Sequence, residues 1–183
     1  MAKLGIEEAD KVRQSSAERG RQLHQLIECY YTGTPLVPTQ ASYPYLLGFQ
    51  KLLSEQKVTP VYIPTKAKGV LSSIPALEYK VSSERYGYAG TLDGVMYINE
   101  RGPYLVDWKT SSNHYDEYRL QTSAYVNAFL EMHDDIPIIG RKVFRFTAEG
   151  GYHEVDHKLQ GEDFSDFLHC KALFDRRLRY DNY

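Results

Sequence analysis

The chain has 183 residues, 42% of them hydrophobic and 25% charged, with a formal net charge of −2. This length favours one globular domain, residues 1–183, and the composition excludes a disordered or low-complexity chain. The near-neutral charge excludes a uniformly basic surface, and two cysteines, Cys29 and Cys170, are too few for a disulfide framework or a four-cysteine metal site.

The first part of the chain is expected to be helical. The spacing of apolar residues predicts one or two helices from about Ile6 to Tyr31, with a stripe of Leu23, Leu26, Ile27, Tyr30 and Tyr31. This segment carries a basic cluster of Lys11, Arg13, Arg19 and Arg21, and a second cluster, Arg176, Arg177 and Arg179, lies near the end of the chain. Each cluster is a candidate nucleic-acid patch, although a solvated helix face is the simpler explanation.

One histidine on the first predicted helix is a candidate metal ligand. His24 is followed one turn later, on the same face, by Glu28. One residue of this pair can bind a metal ion while the other steadies it. A helix histidine is more often packed or solvated, so His24 gains weight only if acidic residues from elsewhere in the chain meet it.

The next segments alternate between breaks and regular structure. Thr32–Pro38 interrupts the first helical region, and a second helix is predicted from Tyr43 to about Glu55. Pro60–Pro75, which contains Lys66 and Lys68, has the proline content of a loop. The residues that carry the chemistry follow this segment.

Three strand-like runs come next, at Ala76–Ser83, Tyr88–Asn99 and Tyr104–Lys109, and the turn-rich pieces between them favour an antiparallel meander. A turn centred between Arg85 and Tyr86 places Glu78 opposite Asp93. The second turn, near residues 100–102, places Asp93 within about one pair of Asp107 and Lys109. Side chains alternate between faces, so Asp107 and Lys109 share one face and Trp108 points to the other.

The expected meeting of Glu78, Asp93, Asp107 and Lys109 calls for a compensating cation. Neighbouring carboxylates repel each other and resist leaving water. Their hard oxygen atoms suit Mg²⁺ or Mn²⁺, and an imidazole such as that of His24 is tolerated, more comfortably by Mn²⁺. The sequence therefore predicts a divalent-metal site on this face of the sheet.

The last part of the chain predicts a helix, two strands and a closing helix. The helix runs from Glu117 to about Met132, and Gln121 and Tyr125 share one of its faces near its start. A surface glutamine and a core tyrosine are the simpler explanation of that pair. An apolar strand at Ile138–Phe146, a turn at 149–151, a short strand and a helix from Gly161 to about Arg179 complete the α/β layout.

The ordered motifs resemble a known family. "RGRQLHQLIE", "ALEYKVSS", "GYAGTLDGV", "YLVDWKTS" and "RLQTSAY" run in order from Arg19 to Tyr125. Together they resemble the PD-(D/E)xK nuclease superfamily in its RecB-like branch, and most of all the mitochondrial genome maintenance exonuclease and related phage and bacterial exonucleases. The implied fold is a restriction-endonuclease-like α/β core: a mixed central sheet, built as a meander followed by a crossover helix, flanked by α-helices.

The resemblance also implies a role for each residue. His24, Asp93, Asp107 and the backbone carbonyl of Trp108 are the implied ligands of Mg²⁺ or Mn²⁺. Lys109 is the implied residue that positions or activates the attacking water and offsets charge on the phosphate. Gln121 and Tyr125 match the family's Q-x-x-x-Y motif, which orients the lysine or holds the substrate. Glu78 matches an upstream acidic position that ligates a second ion or only shapes the site.

One feature of some relatives is not expected here. Several RecB-like nucleases hold an iron–sulfur cluster with four cysteines, and a chain with two cysteines cannot do so, so no cluster is predicted. The sequence also lacks a phosphate-binding Gly-rich Lys-Ser/Thr loop, so a helicase or a recombination or replication partner is expected to supply any unwinding.

The resemblance favours a metal-dependent DNA exonuclease that acts on single strands or on DNA ends in replication, recombination or repair. A structure-specific or nicking endonuclease is the main alternative, and a catalytically silent DNA-binding module is a third. The start of the chain resembles neither a secretion signal nor a transit peptide, and no stretch is long enough to span a membrane. The expected location is the cytoplasm of a bacterium or of a phage-infected host.

Overall fold

The structure, a computed structural model, describes residues 2–67 and 70–180. The described residues form four helices: α1 (Ala2–Thr32), α2 (Tyr43–Glu55), α3 (Glu117–Met132) and α4 (Gln160–Tyr180). Their strands are β1 (Val58–Pro60), β2 (Tyr62–Ala67), β3 (Val70–Pro75), β4 (Leu77–Ser83), β5 (Tyr88–Ile98), β6 (Arg101–Lys109), β7 (Gly140–Phe146) and β8 (Tyr152–His157). The predicted helices at 43–55 and 117–132 are confirmed with the same bounds.

The predicted loop at Pro60–Pro75 is wrong. This stretch begins with the end of β1 and continues as the antiparallel hairpin β2–β3, which forms a separate two-stranded sheet. β1, β2 and β3 are all edge strands, and an edge strand tolerates proline where its N–H would face away from the partner strand. The backbone of Lys66 lies in β2, while the side chain of Lys66 and all of Lys68 lie outside the described residues.

The main sheet is mixed. Its strands follow the order β1-β5-β6-β7-β8, and β4 pairs with the other half of the long strand β5. The pairs β4–β5 and β5–β6 are antiparallel, as the predicted meander requires. The pair β7–β8 is also antiparallel, whereas β6 and β7 are parallel. Parallel neighbours need a crossover connection, and α3 lies in that connection. The protein is therefore a mixed α/β fold with helices on both faces of one sheet.

Two apolar cores hold the helices to the sheet. On one face, residues of α1 and α2 pack against alternate residues of β6 and β7, with Phe49, Trp108, Phe144 and Phe146 fully buried at the centre. On the other face, Val126 and Phe129 of α3 pack against inner residues of β5 and β6 such as Leu105. Each buried large apolar side chain stabilises the fold by about 1.5–3 kcal/mol, so both helix layers are firmly attached.

Helix α1 is a single helix, longer than its packed part. It contributes Leu23, Leu26 and Ile27 to the buried region, as the predicted stripe requires. Tyr30 departs from that prediction, because 58% of its surface is exposed. The side chains of residues 8–15 are all exposed, so this part of α1 extends beyond the packed body. Among the described residues, no helix combines the length and apolarity needed to cross a lipid bilayer.

Candidate active site

Two strand pairings bring the distant acids together. In the β4–β5 hairpin, Leu77 pairs with Gly94 and Tyr79 with Leu92, which places Glu78 at the level of Asp93 and confirms the predicted register. In the β5–β6 pair, Gly94 lies opposite Val106, so Asp93 and Asp107 are the next positions along the two strands. Both carboxylates are almost fully buried, at 8% and 1% exposure.

Glu78 interrupts the regular geometry of β4. Its φ angle is 44°, in the left-handed region that residues other than glycine rarely adopt. The flanking residues stay in register, whereas the carboxylate of Glu78 lies 3.0 Å from Nδ1 of His24 on α1. The local distortion therefore accompanies a contact between β4 and α1 at the candidate site.

His24 joins α1 to three strands. Its Nε2 lies 2.9 Å from the carbonyl oxygen of Trp108, and its Nδ1 lies 3.6 Å from Oδ1 of Asp93. Burial lowers the pKa of His24, but Asp93, Glu78 and the Trp108 carbonyl outweigh burial and raise it to about 9. In this protonated form both ring nitrogens donate hydrogen bonds and the imidazolium supplies positive charge among the acids. A metal ion would bind His24 only in exchange for one of these protons, because the ligand is a neutral imidazole nitrogen.

A second set of contacts runs from β6 to α3. Nζ of Lys109 donates to Oδ1 of Asp107 at 2.8 Å and to Oε1 of Gln121 at 3.2 Å. Nε2 of Gln121 in turn donates to the hydroxyl of Tyr125 at 3.2 Å. Burial lowers the pKa of Lys109, whereas Asp107 and Asp93 raise it by more, so the ammonium stays protonated. Gln121 and Tyr125 thereby orient the lysine.

The paired aspartates are under electrostatic strain. Burial, followed by repulsion from Asp107, raises the pKa of Asp93 to about 7. Burial also raises the pKa of Asp107, although Lys109 opposes the shift. Oδ2 of Asp93 accepts a hydrogen bond of 2.7 Å from the backbone N–H of Trp108, while Oδ2 of Asp107 is buried without any hydrogen-bond partner. Three carboxylates, those of Glu78, Asp93 and Asp107, therefore share the site with two cationic groups, His24 and Lys109, and one oxygen atom of Asp107 has no partner.

These features fit a divalent cation. Ligand atoms of His24, Glu78 and Asp93 all lie within 4.8 Å of one another, and the unpartnered oxygen of Asp107 belongs to the neighbouring carboxylate. A set of carboxylate oxygens with one imidazole nitrogen suits Mg²⁺ or Mn²⁺. The carbonyl oxygen of Trp108, 2.9 Å from Nε2 of His24, is another potential metal ligand. We call His24, Glu78, Asp93, Asp107 and Lys109 the acid–lysine cluster.

A cleft of about 860 Å³ opens beside the acid–lysine cluster, and His24, Trp108 and Lys109 line part of it. Its other charged lining residues among those described are Arg19, Arg21, Arg145 and Glu149. Four lysine or arginine side chains thus face one acid, although acids outnumber these cations in the whole chain, 24 to 22. Two of the four are paired with acids, Lys109 with Asp107 and Arg21 with Glu18, so Arg19 and Arg145 supply most of the positive charge that a polyanion would meet.

The structure differs from the sequence-based expectations at a few positions. Glu28 was the expected partner of His24, but the carboxylate that contacts Nδ1 belongs to Glu78. One pair of the first basic cluster, Arg19 and Arg21, lines the cleft, whereas Lys11 and Arg13 lie on the exposed part of α1. Of the second cluster, the side chain of Arg179 lies outside the described residues.

Several site residues gave no local signal in the sequence. Arg145 and His153 reach the cleft through long-range strand pairing, which one sequence does not specify. Tyr118 is an exception that helical spacing could have identified, because it precedes Gln121 by nearly one helical turn and so shares its face. Its ring centre lies 5.0 Å from the Lys109 ammonium. Gly90 likewise has no local signal in the sequence, although a Cβ at this position would lie 2.5 Å from Cε1 of the Tyr125 ring.

Comparison with known proteins assigns no family to the chain. No family model and no curated protein sequence matches it. The functional interpretation therefore depends on the chemistry and geometry of the acid–lysine cluster and its cleft.

Proposed function

We propose that the protein is a metal-dependent DNA exonuclease that hydrolyses phosphodiester bonds of single strands or DNA ends, with the restriction-endonuclease-like core of the PD-(D/E)xK superfamily. The observation that carries this proposal is the acid–lysine cluster, in which groups from α1, β4, β5 and β6 meet beside a cleft lined by arginine and lysine. Such a convergence strains the fold electrostatically, and a bound cation would relieve that strain.

The chemistry of phosphodiester hydrolysis matches these groups. The uncatalysed reaction is so slow that an enzyme must lower its barrier by well over about 10 kcal/mol. A bound Mg²⁺ or Mn²⁺ would supply Lewis acidity to a phosphoryl oxygen and would make water a better nucleophile. His24, Asp93, Asp107, the Trp108 carbonyl and Glu78 are the residues that would hold it. Lys109, kept protonated and oriented by Gln121, stabilises negative charge that develops on the phosphate.

The fold supports the same proposal. An antiparallel meander, β4–β5–β6, leads through helix α3 to a parallel strand, β7, and this is the connectivity that the resemblance implies. The acids and the lysine lie where β5 and β6 pair, and the Q-x-x-x-Y residues lie on the crossover helix. The positive cleft supports a nucleic acid as the substrate, because phosphate contacts supply most of the affinity of such complexes.

One gel experiment tests the proposal. Linear single-stranded DNA labelled at either end, circular single-stranded DNA and duplex DNA are incubated with the protein and Mg²⁺, Mn²⁺ or a chelator. We expect metal-dependent shortening of linear strands and no change in circles. Linearised circles would indicate a structure-specific or nicking endonuclease of the same superfamily. Linear strands that stay intact with both metals would contradict nuclease activity and favour a silent DNA-binding module.

Lys109 gives a sharper test of the site. We expect Lys109→Ala to abolish cleavage and to retain DNA binding, because phosphate contacts are spread over many residues. Lys51→Ala, an exposed lysine on α2, is the matched control and should cleave normally. Normal turnover by the Lys109 variant would remove this residue from the mechanism.

A further inference from the structure

Three strands place basic side chains in one row across the end of the sheet. Lys109 of β6 is the Cα partner of Arg145 of β7, and Arg145 is the partner of His153 of β8. Paired residues on neighbouring strands point to the same face and lie about 4.8 Å apart, so the row is about 10 Å long. All three residues line the cleft.

The row continues outward from the acid–lysine cluster. Lys109 is the innermost member and contacts Asp107 and Gln121. Arg145 is half-buried, and His153, on the edge strand β8, is exposed. The three residues therefore run from the cluster to the open side of the cleft, along a line perpendicular to the strands.

Arg145 is held in place without losing its charge. Its Nη1 donates to the backbone carbonyls of Ser111 at 3.3 Å and Ser112 at 2.8 Å, both in the loop that follows Lys109. These acceptors are neutral, and a guanidinium has five N–H donors, so donors and a full positive charge remain for a ligand. The partial burial of Arg145 and these two bonds limit the side-chain entropy that binding a phosphate would cost.

The two arginines that α1 contributes to the cleft have different partners. Arg21 forms an ion pair with Glu18, and Arg19 lies over the ring of Tyr45 at 5.2 Å. Glu149 is the acid that lines the same cleft, and hydrogen bonds from Thr147 and from its own backbone, followed by the charge of Arg145, lower its pKa. Arg145 is thus the cleft arginine that lies in register with Lys109 and is held by neutral acceptors.

We propose that Lys109, Arg145 and His153 form a track for the sugar–phosphate backbone of a single nucleic-acid strand. Lys109 faces the phosphate that is cleaved, and Arg145 and His153 contact the phosphates that follow. A row of about 10 Å is longer than one phosphate group and fits adjoining nucleotides. The substrate strand then crosses the sheet at right angles, from the acid–lysine cluster towards β8. The identity of the substrate rests on the function proposed above.

Binding of a fluorescent single-stranded oligonucleotide, measured by anisotropy in chelator at several salt concentrations, tests the track without catalysis. Losing one phosphate contact reduces the slope of log K against log salt by about 0.7 for a single strand. We expect this reduction for Arg145→Gln. The matched control is Arg101→Gln, which changes an exposed arginine at the far end of β6 and should leave the slope unchanged. An Arg145 variant with the wild-type slope, or a wild type that binds no oligonucleotide, would overturn the track.

Oligonucleotides with one neutral methylphosphonate linkage map the contact. We expect one linkage position at which the neutral group weakens binding by the wild type but not by Arg145→Gln, and the adjoining position should behave likewise for His153→Gln. Equal sensitivity of wild type and variants at every position would overturn the track. Cleavage without these effects would leave the nuclease proposal standing and refute the track. If these effects are observed without any cleavage, the track stands and the nuclease proposal is refuted.

Discussion

Gly90 allows the tightest contact in the candidate site, and Gly90→Ala should disturb catalysis without touching a charged residue. A Cβ at position 90 would lie 2.5 Å from Cε1 and 3.0 Å from the hydroxyl oxygen of Tyr125. Nonbonded carbon atoms rest at about 3.5–4.0 Å, so the ring must retreat by about 1 Å. Because β5 is a central strand with partners on both sides, the ring moves more easily than the backbone.

The displaced ring would break a chain of hydrogen bonds. Tyr125 accepts a bond from Gln121 at 3.2 Å, and Gln121 accepts one from Lys109 at 3.2 Å. A shift of about 1 Å takes at least one of these pairs beyond hydrogen-bond range. Misplacing a catalytic group by about 1 Å costs up to about 100-fold in rate. We therefore expect kcat to fall by about 10- to 100-fold, with little change in metal or DNA affinity.

Single-turnover cleavage of a labelled single strand with saturating Mn²⁺ measures this effect, and the melting temperature checks folding. Gly161→Ala is the control, since nothing lies within 4 Å of its added Cβ. In a Tyr125→Ala background, Gly90→Ala should cause no further loss, because the clashing ring is absent. Wild-type kcat in a folded Gly90 variant, or losses that add fully in the double variant, would refute the reasoning.

Three further predictions concern charge. In chelator, Asp93→Asn should raise the free energy of unfolding at pH 8 by up to about 4 kcal/mol and change it little at pH 4. The reason is that the pKa of Asp93 is about 7 in the folded protein and 3.8 in the unfolded chain, so the ionised acid destabilises the fold as the pH rises from 4 to 8. Calorimetry should show weaker Mn²⁺ binding, and destabilisation at pH 8 would contradict this account. The pKa of His157 is lowered to about 4, first by burial and then by Arg141 and His114. Because the unfolded chain takes up a proton at a higher pH than the folded protein does, the free energy of unfolding falls as the pH drops from about 6.5 to 4. Denaturant titrations should show a smaller fall for His157→Gln and an unchanged fall for the exposed control His169→Gln. Glu149→Gln should tighten single-strand binding a few-fold in anisotropy, and weaker binding would show that Glu149 supports Arg145 rather than opposing it.

Local pattern was enough to predict the elements that carry the site. The predicted meander and the helix at 117–132 follow from alternation, turn residues and helical spacing, which act over short distances. Hairpin geometry then fixed the level of Glu78 and Asp93, since a turn position determines every pair beyond it. The same rule placed Asp107 close to Asp93, because the second turn is also short.

Long-range contacts explain what the sequence did not predict. The partner of His24 was expected within α1, but the contact comes from β4, where Glu78 adopts a positive φ that local propensity disfavours. Arg145 enters the cleft only because β7 pairs in parallel with β6, and that register depends on the crossover through α3. The β2–β3 hairpin was predicted as a loop because prolines usually favour loops, whereas edge strands also accept them.

The alternation of β6 links the core to the candidate chemistry. Trp108 points into the apolar core, where its ring lies 6.1 Å from that of Phe49 and 5.5 Å from that of Phe144. Its neighbours Asp107 and Lys109 necessarily point the other way, and its own backbone N–H and carbonyl contact Asp93 and His24. The packing of Trp108 thereby fixes the backbone segment that carries Asp107 and Lys109 and that contacts Asp93 and His24. Asp93 and Asp107, whose pKa values are raised by burial, are therefore held on a backbone that the aromatic core keeps in place.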